Sequence, residues 1–187
     1  WVAQTRGGLG SSVCCVNNAG GRRGGGAVEI VDGSWRRALG PNLLGCVRRF
    51  RAARPDHKQK GGRIINVTSS SIKEPIPGLI LSDVYRMGLL GLGKSLSNEL
   101  APYNILVNTV APGRIATDRT RYLDQLKADK RGVELDQMAT ESRNLIPLRR
   151  YGEPMEFARM VTFLASGASS YVTGSAIMVD GGMVKGF

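Results

Sequence analysis

Short apolar runs alternate along this chain with stretches whose apolar residues recur every three or four positions. Val13–Val16, Arg63–Val67, Ile105–Val110 and Ala176–Val179 read as strands buried on both faces. Each leads into a polar or glycine-bearing turn: Asn17-Asn18-Ala19-Gly20, Thr68-Ser69-Ser70-Ser71, Pro112-Gly113 and Asp180-Gly181-Gly182. Between the strands the spacing predicts helices. One runs from Trp35 to about Ala53, with Ser34 as N-cap and a stop before Pro55. A second runs from about Asp83 to Leu100, with Val84, Gly88, Leu89, Leu92, Leu96 and Leu100 inward and Pro102 beyond its end. A third opens at Pro154, turns Phe157, Val161 and Leu164 to the core and stops at Gly167. The polar stretch from Thr117 to Asn144 is helical in parts.

Strands alternating with helices predict an α/β fold, a Rossmann-like doubly wound parallel sheet with helices on both faces. No repeat or linker divides the chain, so residues 1–187 read as one domain with a single core. Ligands of such sheets sit beyond the carboxyl ends of the strands. Three polar clusters gather there: Asn17–Gly20, Ser69–Ser71 and Pro112–Thr117.

Composition narrows the function classes. Hydrophobic residues make up 42% and charged residues 22%, a globular balance. No apolar run is long enough to span a bilayer and no secretory pattern opens the chain, so a cytoplasmic address and no membrane partner are expected. Cys14, Cys15 and Cys46 lack ligand spacing and read as reduced thiols, with no metal expected. The net charge of +11 is lopsided: residues 1–63 carry 12 Lys/Arg against 3 Asp/Glu. Its arginine doublets lack interleaved aromatics, which argues against nucleic acid as a partner. His57, among Asp56, Lys58 and Lys60, reads as a surface residue.

Six segments in order carry a resemblance. They are Asn17–Gly20, the Trp35…Asn42 spacing, Gly62–Ser70, Asn98–Pro102, Val110–Gly113 and Val179–Gly182. Together they resemble the short-chain dehydrogenase/reductases, most closely the 3-oxoacyl-acyl-carrier-protein reductases, from about residue 13 onward. The resemblance implies an NAD- or NADP-dependent oxidoreductase acting on a small carbonyl or alcohol substrate of the acyl-thioester kind, assembled as a homo-oligomer. It also implies an opening strand and a Thr-Gly-x3-Gly-x-Gly turn, which this sequence lacks, so the chain reads as the C-terminal part of that fold. Gly7-Gly8-Leu9-Gly10 precedes a strand and does not replace that turn. The choice between NAD and NADP is left open by the same gap. Without an earlier neighbour the first strand is expected to be an exposed apolar edge.

By register the resemblance assigns Asn42 and Ser69 to catalysis, and places the catalytic tyrosine and lysine positions at Ser82 and Arg86. Asn18, Ala19, Gly20, Arg86, Pro112, Gly113 and Thr117 fall at cofactor-binding positions. Tyr-x3-Lys has become Ser-x3-Arg, a pair that a subgroup of the family shares. A serine hydroxyl is a far weaker acid than a phenol, and a guanidinium has no proton to exchange. Arg86 can still hold ribose hydroxyls and stabilise an oxyanion. Tyr85 shares a helix face with Ser82 and Arg86 and either substitutes as acid or packs. Thr117 equally fits an N-cap. Pro41, directly before Asn42, is expected to kink its helix.

Overall fold

The computed structural model describes residues 14–20 and 24–186. Four strands form one sheet in the order β1-β2-β3-β4: β1 Cys14–Asn17, β2 Gly62–Val67, β3 Ile105–Pro112 and β4 Ala176–Val179. Every pairing is parallel, with Val16 opposite Ile65, Ile65 opposite Asn108 and Val110 opposite Ile177. Adjacent residues face opposite sides, so Ile64 joins a core with Phe50, Leu96 and Leu100, while Ile65 joins another with Val110 and Leu164. The expected α/β sheet with both faces covered is therefore present. Val13 lies outside the described residues, as do Gly7–Gly10. Among the described residues β1 has β2 as its only neighbour, and Val16 is 44% exposed.

The first helical stretch departs from expectation at both ends. It comprises α1 Asp32–Leu39, a π-helical turn Gly40–Leu44 and α2 Gly45–Lys60. Val31 caps α1 by its backbone, and Ser34 sits inside the helix, where Arg37 donates to its hydroxyl at 3.1 Å. Pro55 lies within α2: a proline forfeits one backbone donor, and here the neighbouring rungs carry the helix to Lys60. His57 is thus on a helix. Pro41 widens the helix into a π turn at Asn42. Buried Ala38, Asn42, Cys46 and Phe50 recur at every fourth residue across that turn.

The long helix α3 spans Ile80–Leu100 and buries Leu81, Tyr85, Leu89, Gly93, Leu96 and Leu100. Val84 is not inward as expected; it is 48% exposed. The true seam passes through Tyr85. A Cβ at Gly93 would lie 3.1 Å from Asn66 Nδ2 and Thr109 Oγ1, so this glycine brings α3 onto the sheet. Gly88 similarly makes room for Leu43 of the π turn. Gly88 and Gly93 are thus taken up by contacts within the chain, and Gly91 stays open.

The polar stretch forms α4 Asp118–Arg131 and α5 Leu135–Asn144. The last helix, α6 Pro154–Ala165, starts at Pro154 with a Glu153–Glu156 capping box, covers the second sheet face and ends before Gly167. The three cysteines are free, Cys15 and Cys46 buried and Cys14 half-buried. Among the described residues no helix is long and apolar enough to cross a membrane.

Candidate functional site

Arg86 joins the ends of β1 and β2. Its Nη1 donates to the Val67 carbonyl at 2.6 Å. Its Nη2 lies so near Gly20 that a Cβ there would be 2.0 Å away, so glycine leaves the guanidinium its place. Burial pulls the Arg86 group down from its ordinary value, with the neighbouring Cys46 opposing. A guanidinium so placed is still a cation. The structure thereby brings Arg86 together with the Asn18–Gly20 turn, whose Asn18 and Gly20 are exposed and Ala19 half-buried.

Asn17, which heads the first polar cluster but was given no site role from the sequence, holds that turn in place. It is 2% exposed, donates to Asn66 Oδ1 at 2.9 Å and accepts from Arg49 Nε at 2.8 Å. A buried amide needs such partners, and these tie β1 to β2 and α2. The signal available beforehand was a polar residue closing an apolar strand.

Ser69 follows β2 and caps the 3-10 turn Ser70–Ile72, its Oγ accepting from Ser71 N at 3.3 Å. That leaves the hydroxyl proton for another acceptor. The turn packs against α3, which carries Ser82 half-buried, one helical turn from Arg86. Asn42 is buried, and its Nδ2 donates to the Ala38 carbonyl at 2.8 Å. Its own carbonyl accepts from the Cys46 thiol at 3.5 Å, a contact inside the helix.

Tyr85 is a packing residue. Its hydroxyl donates to the Trp35 carbonyl at 2.8 Å and its ring meets Trp35 edge-on, centroids 6.0 Å apart. The side chain that shares a face with Ser82 and Arg86 on paper is committed to α1.

The Pro112-Gly113 turn lies against the turn after β4. Gly113 N donates to Val179 O at 3.0 Å, and a Cβ at Gly113 would lie 2.6 Å from Asp180 Cβ. Thr117 is exposed and caps α4, accepting from Thr120 N at 3.4 Å. A cavity of about 510 Å³ beyond β3 and β4 is lined by Arg114, Gly152, Met178 and Asp180 among others. Another, of about 340 Å³, lies between α3 and β3 by Lys94 and Gly174. Neither is lined by Asn42, Ser69, Ser82 or Arg86. Polar residues Arg114, Asp124, Ser142 and Tyr151 also meet, at separations that follow no helix or strand period.

These elements recur in known proteins. A family model described as enoyl-(acyl carrier protein) reductase matches residues 1–184. The chain is 40% identical over 169 residues to the 3-oxoacyl-acyl-carrier-protein reductase of Aquifex aeolicus, covering 90% of this chain and 64% of that protein. Against the corresponding Staphylococcus aureus reductase it is 38% identical over 177 residues, covering 94% and 67%. The chain thus spans about two thirds of the length of these relatives. Among solved structures, L-sorbose reductase of Gluconobacter frateurii complexed with NADPH and L-sorbose superposes with a TM-score of 0.93 at 28% identity, covering all of this chain and 72% of that one. Actinorhodin polyketide ketoreductase with NADPH gives 0.93 at 29% identity, covering 98% and 72%.

Proposed function

We infer the function from the premise that this chain belongs to the short-chain dehydrogenase/reductase family, whose members act on carbonyl and alcohol groups with NAD or NADP. Within that family we read it as a catalytically impaired relative. It keeps a platform for a nicotinamide cofactor in Asn18, Ala19, Gly20, Arg86, Pro112 and Gly113, and lacks the tyrosine–lysine proton pair. One observation carries this reading: the only phenol beside Ser82 and Arg86 on α3 is bonded to the Trp35 carbonyl. Ser82 alone is too weak an acid to protonate an alkoxide efficiently.

The residues present fit a cofactor in part. Arg86 supplies a fixed cation between two strand ends, and Gly20 leaves the guanidinium its place. When bound, the cofactor supplies the hydride. Ser69 would donate to the substrate oxygen, and Arg86 would offset charge developing there. No Thr-Gly-x3-Gly-x-Gly turn occurs in the sequence, so the pyrophosphate has no such cradle in it. NADPH is the first cofactor to try, because the two superposed reductases hold it. We further read residues 1–187 as one partial domain. Val84 and Met87, about half exposed on α3 beside Gly91, support self-association.

A second reading is reduction of a 3-oxoacyl thioester, favoured by the identity to reductases of that class. One experiment separates the two. The chain is titrated with NADH and NADPH by fluorescence, then assayed with NADPH and acetoacetyl-CoA beside the Ser82→Tyr/Arg86→Lys double variant. Saturable binding with turnover about 100-fold or more below the double variant supports the impaired reading, since a positioned acid contributes at least that much. Wild-type turnover equal to the variant's refutes it and supports thioester reduction.

A further inference from the structure

Asp124 is only 1% exposed, yet nothing in the proposed chemistry uses it. A carboxylate at that depth must be paired and hydrogen-bonded. Its partners come from three separate segments. Arg114, directly after the Pro112-Gly113 turn, ion-pairs with Oδ1. Tyr151, ahead of α6, donates its hydroxyl to Oδ2 at 2.7 Å. Ser142, on α5, donates to Oδ1 at 3.4 Å.

The same groups also stack. The Arg114 guanidinium lies 5.2 Å from the Tyr151 ring centroid, and Arg143 approaches the ring at 5.9 Å. Burial, followed by the bond to Asp124, raises the Tyr151 phenol, so it remains a proton donor. The backbone closes the arrangement: Gly152 N donates to Arg114 O at 3.0 Å and Ala116 N to Gly152 O at 2.8 Å. One carboxylate therefore fixes α4 and α5 against the turn that leaves β3.

Stability alone does not account for such a network, because apolar side chains of equal volume hold helices together as well or better. What a buried ion pair adds is a single geometry. That geometry ends at a cavity, since Arg114 and Gly152 form part of the wall of about 510 Å³ beyond β3 and β4. We propose that Asp124 is a positioning residue that locks α4–α5 in place through Arg114 and Tyr151, and so shapes a wall, apart from Ser69, Ser82 and Arg86, that receives the portion of the substrate remote from its reacting carbonyl. The substrate half of this statement rests on the oxidoreductase reading; the lock itself does not.

Two readouts on the full chain test it, with Asp124→Asn, Asp124→Glu and Tyr151→Phe. Hydrogen exchange reports the lock. Amides of residues 118–144 are expected to exchange at least tenfold faster in Asp124→Asn, and less so in Tyr151→Phe, while those of β2 and β3 keep their protection. Steady-state kinetics with NADPH and acetoacetyl-CoA reports the wall. KM is expected to rise about tenfold in Asp124→Asn with kcat within twofold, and Asp124→Glu to recover part of it. Unchanged exchange in 118–144 in both Asp124→Asn and Tyr151→Phe overturns the proposal, as does a fall in kcat with KM unaltered. Should Asp124→Asn unfold throughout, Tyr151→Phe decides, since it keeps the ion pair and must loosen 118–144 alone. A wild type that turns over no ketone refutes the thioester-reduction reading only; the dissociation constant for acetoacetyl-CoA then replaces KM, and no binding by wild type overturns the substrate half.

Discussion

Replacing Gly20 by alanine is expected to displace Arg86 and thereby weaken cofactor binding. The new Cβ would lie 2.0 Å from Arg86 Nη2, well inside van der Waals contact, while the Gly20 backbone itself needs no glycine-only conformation. The guanidinium is the softer partner and must retreat by more than about 1 Å to reach ordinary contact. That breaks its bond to the Val67 carbonyl. A hydrogen bond from a charged donor contributes about 1.5–3 kcal/mol, and renewed hydration of the displaced cation offsets part of this, leaving a cost of about 1–2 kcal/mol. For a chain of this size that lowers the melting temperature by about 2–8 °C. The affinity for NADPH should fall about tenfold, the equivalent of about 1.4 kcal/mol. The assay is a double-mutant cycle with Arg86→Ala, read by thermal unfolding and fluorescence titration. With Arg86 truncated the Cβ has no side chain to displace, so Gly20→Ala should become nearly neutral and the coupling exceed about 1 kcal/mol. Equal costs in both backgrounds would show that Gly20 acts on something other than Arg86.

Three further outcomes are expected. Tyr85→Phe removes the bond to the Trp35 carbonyl and should cost about 1 kcal/mol in urea unfolding while NADPH-dependent turnover stays unchanged; a large loss of turnover would restore Tyr85 as an acid. Burial raises the Asp83 carboxyl above its usual value, against the Ile76 amide and Ser71 hydroxyl that favour the anion. Because the folded form then holds its proton more tightly than the unfolded one, this contribution favours folding below the unfolded value and is lost as pH rises through the folded one. Asp83→Asn should therefore stabilise the chain relative to wild type at pH 7, with the gain disappearing toward pH 3; a gain that persists undiminished at pH 3 would contradict the assignment. Gly113→Ala sets a Cβ 2.6 Å from Asp180 Cβ and 2.7 Å from its Cα, where backbone must move, and should cost about 1–3 kcal/mol in thermal or denaturant unfolding; no loss would show that the two turns move apart freely.

The strands were legible because parallel strands buried on both faces are unbroken apolar runs, and each stops at a turn residue. β2 and β3 began and ended within two residues of expectation, β4 coincided with it, and β1 ended one residue beyond it. Helix faces were less legible. Val84 and Tyr85 are neighbours, and hydropathy alone chose Val84; the buried one is Tyr85, whose hydroxyl finds the Trp35 carbonyl fifty residues away. Pro55 illustrates the weakness of a local stop signal, since a helix loses one rung and continues. For the site, the strand-end rule placed Ser69 and the resemblance assigned Ser82 and Arg86 by register, and the capping alternative at Thr117 is what the structure displays. Nothing in the sequence pointed to Asp124. A charged residue in a polar helix reads as solvated, and its partners at 114, 142 and 151 share no periodicity with it.

The π turn at Gly40–Leu44 governs how this chain tolerates a change of length. An α-helix advances about 100° per residue, so side chains four apart drift by about 40° at each step. Ala38, Asn42, Cys46 and Phe50 nevertheless remain buried, because the wider loop takes up part of that drift. Deleting one residue between 40 and 44 would let the helix close into ordinary α geometry without breaking it. The segments on either side would then stay nearly in phase, since Ala38 and Cys46 would lie seven residues apart, within about 20° of two full turns. Cys46 and Phe50 would stay buried and Arg49 would keep Asn17, the change falling on the turn itself at Asn42. A one-residue gap placed in this segment when the chain is aligned with relatives is therefore absorbed locally, whereas the same gap one turn away would rotate the rest of the helix by about 100°.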